Sequence, residues 1–206
     1  MPHPVRLGYF SFALAALAVG AASDLGAQVV RSPRPPAVTT RPRGQGRFRV
    51  SAPDLLAKGR IAQSHAYNGM GCTGQNISPA LEWSNPPAGT RSYAVTAYDP
   101  DAPTGSGWWH WVMYNIPVSV ISLPAGAGNG RNAPRGSAQG NTDFGSKGYG
   151  GPCPPVGDRP HHYHFKVFAL KVDKLDVPGN ATAAMVGYNL NTNKLATAEI
   201  TALYGR

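Results

Sequence analysis

The chain has 206 residues, 42% of them hydrophobic, which suits one globular domain with a single core plus some non-globular sequence and excludes two full domains. Its 25 glycines and 20 prolines stand well above the usual ~12% for the pair, and this turn punctuation favours many short strands over long helices. Of the formal +9 charge, residues 1–46 carry +4 (five arginines and Asp24) and residues 47–206 the remaining +5, scattered through positions such as Lys58, Arg60, Arg91, Lys166 and Lys174. That scatter excludes a dedicated nucleic-acid surface and leaves at most weak contact with an anionic membrane.

The amino terminus reads as an export signal. Arg6 is followed by an almost wholly apolar or small run, residues 7–22, and Leu25-Gly26-Ala27 offers a cleavage point ahead of Gln28. That run is shorter than the roughly 20 residues of a spanning helix, so residues 1–27 are expected to be removed and the mature protein to be periplasmic or extracellular. Residues 28–46 interleave Arg31, Arg34, Arg41 and Arg43 with Pro33, Pro35, Pro36 and Pro42. No large apolar cluster interrupts them, so the segment is expected to be a disordered tether.

From Arg47 onward the pattern is β-rich. Extended runs are expected at 47–50, 81–84 and 92–98, and stronger ones at 108–116 and 162–170, dense in aromatic and β-branched residues. Residues 124–150 are rich in Gly, Asn and Ser and should cross the surface as a loop. Residues 181–186 and 194–203 read as helix, separated by a polar, turn-prone stretch at 187–193.

Two proline-rich turns adjoin these runs. Asp99-Pro100-Asp101-Ala102-Pro103 precedes Trp109-His110-Trp111, and Gly151-Pro152-Cys153-Pro154-Pro155 precedes His161-His162-Tyr163-His164. Proline fixes φ near −65°, so each turn aims its neighbours in advance. Period-two alternation places His161 and Tyr163 inward with Phe165, Val167 and Ala169, and leaves His162, His164 and Lys166 on the opposite face. The same rule puts His110 with Val112, Tyr114 and Ile116, opposite Trp109, Trp111, Met113 and Asn115. Cys72 and Cys153 are the only cysteines. In an exported protein they are expected to pair, closing a loop of about 80 residues for up to ~4 kcal/mol. The alternative is a nucleophilic Cys153 thiol with His161 as its base.

These motifs, with Asn76-Ile77-Ser78-Pro79-Ala80-Leu81 and Asn115-Ile116-Pro117, resemble the phosphatidylethanolamine-binding protein family, also called Raf kinase inhibitor-like proteins, and its bacterial branch in particular. The resemblance covers residues 47–206 and implies an antiparallel β-sandwich with a few short peripheral helices. It implies a small pocket at one end for phosphate, phosphoryl headgroups or similar anions, formed by Asp99, Pro103, His110, Gly151, Pro154, His161 and Tyr163, with Asp101 supporting the turn. It further implies a binding module without catalysis, cofactor or metal, and a protein target of inhibition such as a kinase or protease. Tyr204 is a candidate cap, because the polar stretch at 187–193 interrupts the helix that often flanks the family's pocket. Two other readings compete: a metal-dependent hydrolase using His110, His161, His162, His164 and an aspartate, and a structural envelope protein with a vestigial pocket. Alternation weighs against the metal, since His161 and His162 point to opposite faces.

Overall fold

The computed structural model describes residues 46–55 and 59–206. The expected export signal, the tether up to residue 45, and Lys58 lie outside them. The described chain is mainly β, with antiparallel sheets and one α-helix.

Ten strands occur in chain order: β1 Arg49–Ser51, β2 Asn68–Gly69, β3 Cys72–Thr73, β4 Leu81–Ser84, β5 Ser92–Asp99, β6 Trp108–Pro117, β7 Ser122–Leu123, β8 Ala138–Gln139, β9 His161–Leu170 and β10 Lys194–Tyr204. The principal sheet has five strands in the order β10-β9-β5-β6-β8, and a three-stranded sheet runs β1-β4-β7. Between them lies the larger core, where Leu81 and Trp83 of β4 meet Tyr93 and Val95 of β5, Trp111 and Met113 of β6, and Phe165 and Val167 of β9. The other face of the principal sheet presents Ala94, Val112, Tyr114, Phe168 and Leu170 to helix α1, Ala183–Asn193, through Val186 and Leu190. Central strand β5 is therefore covered on both faces, which is why seven of its eight residues are buried without polar alternation.

Three expectations are corrected. Residues 194–203 form a strand, not a helix: β10 pairs with β9 from Lys194 to Tyr204, and Ala196, Ala198, Ile200, Ala202 and Tyr204 all pack on the larger core. Period-two burial and a long partner strand override the helix propensity of Ala, Leu and Glu. The helix instead continues through 187–193. Thr182 caps it by accepting from Met185 N, while Asn189 Nδ2 and Asn193 Nδ2 donate to carbonyls one turn back. Finally, the 124–150 segment is not purely superficial, since Ala127, Thr142 and Tyr149 are buried within it.

A further correction concerns β6. Ala97 pairs with Trp111 but Tyr98 pairs with Trp109, so His110 is the extra residue of a β-bulge. A second irregularity lies between Tyr93 and Val95, opposite Asn115, whose φ is 58°. Strict alternation therefore fails along this strand. Val112 and Tyr114 face α1, whereas Trp111, Met113 and Ile116 enter the larger core, and His110 lies edge-on to Tyr163 of that core.

Candidate functional site

Asp99 ends β5 and organises the first turn. Its Oδ1 accepts the amides of Asp101 at 2.8 Å and Ala102 at 3.1 Å, while Oδ2 accepts His161 Nδ1–H at 2.8 Å. Both side chains are nearly inaccessible, 3% and 4% exposed, so the pair is desolvated and its geometry is fixed from both sides. The turn-supporting role expected of Asp101 thus belongs to Asp99. Asp101 reaches across instead, accepting both the backbone N–H and the ring Nδ1–H of His162, and that ring hydrogen bond holds its carboxyl below the usual range.

His110 is oriented by the second loop. Its Nδ1–H donates to the Gly150 carbonyl at 2.7 Å, and Gly150 N donates back to the His110 carbonyl at 2.8 Å. Burial disfavours the charged ring and lowers the His110 pKa, outweighing the Gly150 and Gly151 backbone and the Asp99 and Asp143 carboxylates. Tyr163 projects beside it, with ring centroids 5.2 Å apart. Its hydroxyl is buried and meets no strict hydrogen-bond geometry, although it lies close enough to the Asp99 carboxylate to interact with it; burial first, then that carboxylate, pushes its pKa far up.

These groups open onto a cavity of about 180 Å³. Asp99, Pro103, His110, Pro154, His161 and Tyr163 line it, and so do Ala102, Thr104, Trp108, Pro155, Met70, Phe144 and Cys153. Two of the expected residues, Asp101 and Gly151, do not. Gly151 N–H is taken by Asn76 Oδ1 at 2.7 Å, and a Cβ there would lie 2.1 Å from the His65 carbonyl oxygen, so this glycine serves close backbone approach. Tyr204 does not reach the cavity either; it packs in the core and donates to Gln63 Oε1 at 2.7 Å. Residue-type reasoning passed over Phe144, which stacks on Tyr67 at 4.5 Å and meets Trp108 and His110 edge-on at 5.4 Å. Its signal was a large aromatic, one of only two with Tyr149, in an otherwise Gly/Ser/Asn-rich loop.

Cys72 and Cys153 form a disulfide with Cα atoms 5.9 Å apart, so the thiol-nucleophile reading falls. The bond ties the β2–β3 hairpin to the proline loop at the cavity wall. Among the described residues, no three His, Cys, Asp or Glu side chains converge as metal ligands. His162 is 54% exposed at its side chain while that of His161 is 4% exposed, and His164 pairs with Glu199.

The phosphatidylethanolamine-binding protein family model matches residues 53–205, so the chain belongs to this family, one of binding proteins. Among its relatives, the UPF0098 protein YbcL of Escherichia coli K12 is 55% identical over 159 residues, covering 76% of this chain and 87% of that protein. YbhB of the same organism is 51% identical over 152 residues, covering 73% and 96%. The solved structure of E. coli YbcL matches with a TM-score of 0.75 at 53% identity, covering 78% of this chain and 99% of that one. A phosphatidylethanolamine-binding protein homolog from Chlamydia trachomatis matches at 0.64 and 29% identity, covering 77% and 97%. The bacterial branch is therefore the one to which the chain is most plainly similar.

Proposed function

We propose that this protein is a non-enzymatic binding module whose cavity takes phosphate, a phosphoryl headgroup or a similar small anion, and that it modulates a protein partner rather than turning over a substrate. The observation that carries this reading is the convergence of His110, His161 and the partnerless Tyr163 hydroxyl on one small, largely apolar cavity. A buried donor without an acceptor costs about 1–3 kcal/mol, and an anion oxygen would supply that acceptor. Nothing in the cavity wall is an activated nucleophile, since Cys153 is oxidised.

The same reading places the mature protein outside the cytoplasm. The Cys72–Cys153 disulfide supports an oxidising compartment.

Calorimetric titration with phosphate and with phosphoethanolamine tests the binding reading. Tyr163→Phe is expected to weaken either ligand about tenfold while leaving thermal stability equal or higher, because the buried orphan hydroxyl is gone. Affinity is also expected to fall as pH rises, since alkali removes protons from the anion and from the His110 imidazole, whose pKa burial already lowers. Unchanged affinity in Tyr163→Phe would count against the site.

A further inference from the structure

We propose that the groove between α1 and the outer face of the principal sheet is a second binding site, one for a neutral pyranose sugar. It is distinct from the cavity at the two turns and independent of the anion reading.

Gly187 stands in the interior of α1, where glycine lowers helix stability relative to ordinary side chains. Neither backbone nor packing requires it there. Its φ is outside the left-handed region, and a Cβ would meet only Trp109 ring carbons at 3.8 and 3.9 Å, an ordinary van der Waals contact. The missing side chain instead leaves the Trp109 ring partly uncovered. Trp109 and Tyr98 are both half-buried, with ring centroids 4.7 Å apart and planes inclined at 47°. Together with Phe168 they floor a groove of about 290 Å³, near the lower end of the roughly 300–1,000 Å³ of small-molecule sites.

Above this aromatic floor the rim is polar, and its charges are largely balanced. Strand register sets Thr96 of β5, Lys166 of β9 and Glu199 of β10 side by side across three strands. Lys166 Nζ lies 3.3 Å from Glu199 Oε2, while Glu199 Oε1 pairs with His164 Nδ1. Lys194 Nζ donates to Asn191 Oδ1 at 2.8 Å, which orients that amide and leaves its Nδ2 hydrogens unused among the described residues.

A pyranose matches this division. Its C–H face packs on electron-rich aromatic faces, and its hydroxyls, which both donate and accept, suit an ammonium and a carboxylate held side by side. A charged sugar would have to break the Lys166–Glu199 pair for its counterion, or settle for Lys194 on the exposed rim, where an ion pair is worth little.

Saturation-transfer NMR on the full-length chain tests the site, with glucose, maltotriose, cellotriose and tri-N-acetylchitotriose as probes and glucuronate as the charged control. Transfer to at least one neutral sugar is expected, strongest on its ring C–H protons. Gly187→Leu fills the groove from a helix position. It is expected to abolish that transfer while the melting temperature holds or rises, since leucine is the better helix former. Absence of transfer to every neutral probe overturns the proposal. So does transfer that survives in folded Gly187→Leu, and so does glucuronate binding more tightly than glucose.

Discussion

At the scale of single residues, two histidines of similar burial are set up differently. Asp99 fixes the Nδ1 proton of His161 with a carboxylate, whereas a neutral carbonyl fixes that of His110. For His110, burial lowers the pKa below the ordinary value near 6.5. The unfolded chain then binds this proton at higher pH than the folded one. Stability from this residue is accordingly full above about pH 6.5 and is lost as pH falls through the window below it. Urea unfolding between about pH 7.5 and 5 is expected to show a steeper acid loss in the wild type than in His110→Gln; parallel slopes would contradict this. The importance of these side chains was legible, because His, Tyr and Asp beside rigid turns are informative types. Their exact partners were not: Gly150 and Gly151 lie in a loop whose path no local pattern fixes.

At the scale of elements, the site depends on departures from regular strand geometry. The bulge in β6 turns His110 toward Tyr163, and the turn between β5 and β6 packs tightly on itself. Gly107 has φ 68°, and a Cβ there would lie 2.3 Å from Tyr98 Oη and 2.6 Å from the Asp99 carbonyl oxygen. Gly107→Ala is expected to cost about 2 kcal/mol or more in urea unfolding and to weaken anion binding by displacing Asp99. Gly105→Ala, with nothing within 4 Å of its Cβ, is the control and should stay within about 0.5 kcal/mol of wild type. Strands β6 and β9 could be read closely from β-branched and aromatic density, and β4 and β5 as weaker extended runs. β10 could not, because its alanines and Glu199 favour a helix and only pairing with β9 gives their alternation a purpose.

At the scale of the whole molecule, segments far apart in sequence close around one cavity. Met70 comes from beside the β2–β3 hairpin, Asp99 and His110 from adjacent strands, Phe144 from the long loop, and Pro154 and Tyr163 from the second turn and β9. The disulfide spans 81 residues and joins the first of these to the last. Replacing both cysteines by serine is expected to lower unfolding free energy by about 2–4 kcal/mol. Because Cys153 and Met70 line the cavity, anion affinity should fall as well, and a variant matching wild type in both measurements would remove the clamp role.

The sequence by itself determined the β-rich class, the two preorganising turns, the pair of cysteines and the inward-facing His161 and Tyr163, because proline geometry and period-two alternation act over a few residues. Tertiary structure alone decided that His110 sits on a bulge and that Gly151 and Asp101 brace the site from behind its wall. It also decided that Phe144 closes the cavity and that the last strand completes the sheet. Those outcomes depend on which distant backbone groups meet, and no local pattern carries that information.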